Sequence, residues 1–233
     1  MAVGINKVYQ KVLAIANKEQ RGYVTPQEFN IFADLAQLEI FEQYFYDKNQ
    51  YMRAHSNEGE YSDIIHNLEE KISIFEKSGN IQNNGSILIN DFYRLGTVIY
   101  DITASYSGTE VQEVQPDELL LMNSSLLMKP SLKRPVYIRD SIGIKAYPTA
   151  IQSNLTCTYV KKPSKPQWGY VVINDRAMYD GDSSVTTNFE LHLSEENELV
   201  YKILKLAGLS MKRDDLAKGG QGLESLQVQQ EKQ

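Results

Sequence analysis

The sequence predicts an α+β chain. About three N-terminal helices precede an antiparallel β-rich region with one short helix, and a closing helix and an extended C-terminal tail follow. Three observations carry this expectation. Apolar residues recur at helical spacing through the first eighty positions. From Ile87, runs of β-branched and aromatic residues bounded by turn residues take over. Helical spacing returns only at Ser194. The expected regions are therefore 1–80 (helical), 81–193 (β-rich), 194–217 (closing helix and cap) and 218–233 (flexible tail).

In the first helix Ile5, Val8, Val12 and Ile15 share a face, and Gln20-Arg21-Gly22 marks the stop. The second opens on Thr25-Pro26-Gln27-Glu28, with Thr25 as N-cap, Pro26 in the first turn and Glu28 as the reciprocal capping partner, and runs to about Arg53. It carries two apolar stripes. Phe29, Phe32, Ala33, Ala36 and Ile40 line one; Ile31, Leu35, Leu38, Phe41 and Phe45 line the other. A helix on a monomer's surface needs only one. Phe29, Ile31, Phe32, Leu35, Leu38, Phe41 and Phe45 are thus the candidate oligomer interface. The third helix, after the polar break 55–59, has a single stripe of Tyr61, Ile64, Ile65, Leu68, Ile72 and Phe75, with a stop at Ser78-Gly79-Asn80.

Strands are expected at 87–89, 92–102, 109–114, 136–139, 142–147, 155–160, 170–174 and 188–192. A short helix opens at Pro116-Asp117-Glu118 and runs to about Ser124, and the closing helix spans 194 to about 206. The tail reads as linker composition around Gly219-Gly220-Gln221-Gly222, with Leu223, Leu226 and Val228 as candidate residues for docking on a partner.

Composition narrows the function classes. A net charge of -6 disfavours wholesale binding of nucleic acid. The single cysteine, Cys157, leaves no internal disulfide framework and is expected as a half-buried apolar residue in a reducing compartment. No apolar run is long enough to span a membrane, and the start Met-Ala-Val-Gly-Ile-Asn-Lys lacks the features of a signal peptide. The Asn-x-Ser/Thr triplets at Asn84, Asn123 and Asn154 are then chance matches. Fifteen tyrosines against seven phenylalanines favour surfaces that are wet at one time and buried at another.

Catalytic and metal-binding patterns are absent from the sequence. His55, His66 and His192 stand in no metal-ligand spacing. Asp180-Gly181-Asp182-Ser183-Ser184 begins like a calcium loop, but Val185 stands where glycine is required and Leu191 where the bidentate glutamate belongs. No cofactor, metal or enzymatic activity is expected. Lys161, Lys162 and Lys165 form the densest basic stretch, either a proline-stiffened solvated loop or a polyanion contact, and Lys133-Arg134-Pro135 reads the same way.

Residues 15–30, Ile-Ala-Asn-Lys-Glu-Gln-Arg-Gly-Tyr-Val-Thr-Pro-Gln-Glu-Phe-Asn, continue through Ala36-Gln37-Leu38-Glu39-Ile40-Phe41-Glu42. Downstream stand Pro135-Val136-Tyr137-Ile138, Tyr147-Pro148, Tyr159-Val160-Lys161-Lys162-Pro163, Trp168 and Phe189-Glu190-Leu191-His192. Taken together the chain resembles head–tail connector and ring (tail neck) virion proteins of crAss-like, podovirus-type phages of Bacteroidota. The resemblance implies a non-enzymatic adaptor: a ring of about twelve copies that binds the portal protein and adjacent tail or ring proteins. Genomic DNA would pass through the lumen without sequence-specific contact. It implies location in the virion tail or neck, assembly in the host cytoplasm, and no membrane. Another tail or capsid-associated structural role, a small tail-borne enzyme and a host regulatory module remain as rival readings.

Overall fold

The computed structural model describes residues 2–16, 24–53, 59–81, 91–101, 108–140, 143–210 and 214–231. In chain order the elements are α1 (Ile5–Ala16), α2 (Pro26–Arg53), α3 (Gly59–Ser73), β1 (Glu76–Ile81), β2 (Phe92–Tyr100), β3 (Thr109–Glu110), β4 (Gln112–Glu113) and α4 (Pro116–Ser124). They continue with β5 (Val136–Asp140), β6 (Gly143–Tyr147), β7 (Leu155–Lys161), β8 (Tyr170–Ile173), β9 (Arg176–Tyr179), α5 (Glu196–Ser210) and α6 (Asp214–Glu231). The fold is α+β, with N-terminal helices preceding the β region. The described residues form two compact units. One joins Met1–Ile74 to Pro163–Gln233; the other is Phe75–Lys162. This division differs from the expected 1–80, 81–193, 194–217 and 218–233, because α5 packs on α1 and α2, far away in sequence.

In the discontinuous unit, α1 buries Ile5, Val8, Tyr9, Val12 and Ala16. The cap of α2 forms as the sequence predicts. Thr25 N–H donates to Glu28 Oε2 at 3.0 Å, and Glu28 N–H donates to Thr25 Oγ1 at 3.3 Å, so donors that the first turn leaves open are satisfied. The Thr25 amide, and then its hydroxyl, hold the Glu28 carboxyl below its ordinary pKa. A 3-10 turn, Leu193–Glu195, leads into α5, which reaches Ser210. The expected strand 188–192 is not formed. Phe189 and Leu191 are both buried, as alternation requires, but the segment makes only an isolated bridge, Val3 to Phe189.

The expected flexible tail is a helix instead. α6 packs on α5, and the reason lies in two residues. A Cβ at Gly220 would stand 3.0 Å from Lys205 N and 3.1 Å from Tyr201 O, so any other residue would press the two backbones apart by a few tenths of an ångström. Glu224 then reaches Lys202 and Lys205. Gly219 and Gly222 face open space. Replacing either by alanine is expected to stabilise the helix by up to about 1 kcal/mol, whereas Gly220→Val should push α6 off α5. Thermal unfolding followed by helical circular dichroism separates the two outcomes.

The second unit holds two sheets, one ordered β1-β7-β2-β3 and one ordered β4-β5-β6. Pairing is antiparallel, as the sequence predicts for this region, except between the two-residue β4 and β5, which run parallel. β1 corrects the expected end of the third helix. Ser78-Gly79-Asn80, expected to end the third helix, lies within a strand whose ladder on β7 runs from Glu76 opposite Val160 to Ile81 opposite Leu155. Backbone pairing overrides the weak strand preference of these residues. The core combines Ile81, Val98, Val111, Tyr137, Ile144, Leu155, Cys157 and Tyr159. Val111 N–H donates to Val98 O at 2.8 Å and ties the two sheets together. Cys157 is buried, which pushes its thiol pKa up.

Candidate assembly surfaces

α2 shows which of its two stripes the chain covers by itself. Phe29 and Phe41 are fully buried: Phe29 meets Tyr9 edge-on at 4.7 Å, and Phe41 meets Phe45 edge-on at 5.2 Å. Both belong to the core, and their place in the candidate interface is corrected. Ile31 is 60% exposed and Leu35 50%. Phe32, Leu38 and Phe45 are half-buried. Ile31, Leu38, Phe45 and Met52 recur every seven residues along one side, the spacing of a seam that packs on another helix.

A second surface is the β8–β9 hairpin. Its turn residues Asn174 and Asp175 have φ 50° and 58°, the left-handed pair that a tight two-residue hairpin requires. At its base the rings of Tyr170 and Tyr179 each stack on Trp168 at 5.8 Å. Trp168 is buried. Its N–H groups donate to Asn30 Oδ1 at 2.8 Å from the backbone and to Asn6 Oδ1 at 3.2 Å from the indole. Beyond this anchor, Val171, Ile173 and Met178 on one face and Val172 on the other are all exposed. Periodicity identifies the first strand but not the second, since Arg176-Ala177-Met178-Tyr179 carries no strand signal. The clue available in sequence was the unbroken apolar run Val171-Val172-Ile173, which is apolar on both faces.

The third surface lies on the other unit. Leu120 and Leu121 project from α4, and beyond it Leu126 is 100% and Leu127 93% exposed. The expected docking residues Leu223 and Leu226 are exposed on α6, not on an extended tail; the side chain of Val228 lies outside the described residues.

The basic stretch does not form one patch within either unit. Lys161, in β7, and Lys162 close one unit, while Lys165 belongs to the other and lies 4.0 Å from Asp34. His55 lies outside the described residues, and His66 is exposed on α3. His192 caps the 3-10 turn: its Nδ1 accepts from Ser194 N–H at 3.3 Å and lies 3.0 Å from Ser194 Oγ. A serine beside a histidine is the pair that nucleophilic catalysis uses. Here the Ser194 hydroxyl also bonds Glu195 Oε1 at 3.0 Å, and the group stabilises a turn. Among the described residues no cluster of three or more His, Cys, Asp or Glu could hold a metal ion, and no helix is long and apolar enough to cross a membrane.

No protein-family model matches this chain, and no curated protein matches it.

Two features beside α5 escape sequence reading. An open cleft of about 350 Å³ runs between α2 and α3, lined by Asp47, Tyr51, Ile64, Leu68, Glu70 and Lys71 and, from the turn before α5, by His192 and Ser194. Next, Lys202, only 2% exposed, bonds Glu224 at 2.8 Å and Glu39 at 2.9 Å and lies 3.7 Å from Glu198. Lys71 pairs with buried Glu195 at 2.6 Å. Burial alone would lower the Lys202 pKa; its hydrogen bonds to Glu224 and Glu39 outweigh that and raise it. The Glu198/Lys202 spacing is visible in sequence, but it reads as an ordinary surface pair.

Proposed function

We propose that the chain is a non-enzymatic structural subunit of a virion. In this reading it forms an oligomeric ring in the head–tail connector or tail neck, joining the portal to tail components around the DNA channel. The observation that carries this reading is the presence of unlike exposed apolar surfaces on one chain: the α2 stripe, the β8–β9 hairpin and the leucines at and beyond α4. Exposed apolar patches mark contact sites, and a ring joins each copy to the next through two different patches. The net charge of -6 suits a lumen that DNA traverses without adhering.

Mass photometry of the purified protein, alone and mixed with the portal protein, tests the proposal. A ring-sized mass in either condition is the expected result. A monomer or dimer in both overturns the portal-proximal ring and favours another tail or capsid-associated role.

A further inference from the structure

We infer that the β8–β9 hairpin of one copy seats in the α2–α3 cleft of the next copy, joining subunits head to tail. The inference rests on the ring reading above and specifies its contact. The hairpin is a plug by its own chemistry. A two-stranded ribbon in water is marginal at best, and this one exposes apolar side chains on both faces beyond the Trp168 anchor. Such an element gains most when it is enclosed on both sides.

The cleft is a matching socket. Ile64, Leu68 and Tyr51 give it apolar walls, and its lining carries the carboxylates of Asp47 and Glu70 beside Lys71, whose ammonium pairs with Glu195. The hairpin carries the complementary cation, since Arg176 is exposed at its tip, opposite Ile173 in the ladder. Plug and socket belong to the same compact unit, so their separation follows from α2. The plug is anchored at Asn30, near the start of that helix, and the socket opens at Asp47, near its end. The rise from Asn30 to Asp47 is about 25 Å. From Tyr170 to Ile173 the hairpin extends only about 10 Å. The hairpin tip is exposed and contributes no residue to the cleft of its own chain, so a hairpin seated there comes from another copy. Two complementary patches near opposite ends of α2 form a heterologous pair, which propagates from copy to copy and closes into a ring if the rotation permits.

Cross-linking tests this on the full chain, because the single cysteine is buried and exposed positions flank both parts. Ile173→Cys marks the plug and Asn67→Cys the socket rim. Each variant is treated with a short thiol–thiol cross-linker, alone, mixed with the other and combined in one chain, with and without portal protein. Mass photometry is run in parallel. The expected result is a dimer from the mixture, none from either variant alone, and a ladder of multimers from the double variant that Val172→Asp abolishes. A ring-sized mass without the mixed cross-link overturns this contact and leaves the ring reading standing. A dimer from I173C alone overturns it in favour of two hairpins meeting about a two-fold axis. Monomer mass with no cross-link in any condition overturns both.

Discussion

Lys202→Met is expected to lower stability by about 3–5 kcal/mol, the range for removing one partner of a buried ion pair. The loss comes from what the substitution leaves behind. Glu198 is buried and Glu224 nearly so, and both lie against the same ammonium, which Glu224 shares with Lys205. The pH dependence identifies the cause. Burial works to raise the Glu224 pKa, but hydrogen bonds from Lys202 and Lys205 outweigh it and lower the value. Its contribution is therefore present above the ordinary carboxylate value of 4.5 and is lost as pH falls through the folded value. Lys202 has the opposite sign. Its raised pKa gives a contribution that is complete below 10.5 and lost as pH rises through the folded value. In Lys202→Met the acid-side loss should become shallower, because Glu224 keeps only Lys205 and its carboxyl is held down less in the folded state. Urea unfolding at neutral and mildly acidic pH tests this. A variant that loses stability equally at both pH values would remove the charge network as the explanation.

Phe41→Ala should cost a similar amount, about 3–5 kcal/mol, through the transfer and cavity terms of a fully buried ring. Leu35→Ala, two turns away on the exposed stripe, should fall within about 0.5 kcal/mol of the parent. Denaturant unfolding at constant m-value compares the two directly. The pair separates positions that sequence periodicity places on the same face, and it assigns Phe41 to the fold and Leu35 to contacts outside the chain. If Leu35→Ala destabilised the isolated chain as much as Phe41→Ala, the exposed stripe would have to be covered within the chain itself.

Much of the local structure was legible because it depends on neighbouring residues. Thr25 and Glu28 announce α2 through a contact that needs no other segment, and Pro116-Asp117-Glu118 does the same for α4. What failed was set by distant partners. Glu76-Lys77-Ser78-Gly79-Asn80-Ile81 has no strand pattern of its own and is a strand because β7 offers a ladder. The glycines at 219, 220 and 222 read as a linker, yet one of them is the point where α6 approaches α5. On α2 both stripes are apolar, so periodicity could not say which would be covered; contact with α5 and α3 decides. The hairpin, the cleft and the burial of Lys202 share this property, since each depends on segments far apart in sequence meeting.

The pairing of β1 with β7 places the first and last strands of Phe75–Lys162 side by side, with Lys161 N–H bonded to Phe75 O at 2.8 Å. That stretch is a cassette inserted in the sequence between the two halves of the other unit. A ribosome completes the cassette before it has made α5, so α1 and α2 emerge from the exit tunnel without the helix that packs against them. Val8, Val12, Phe29 and Ile40 are then uncovered on the nascent chain until residues near 204 arrive. The order of translation makes the cassette the first part able to fold.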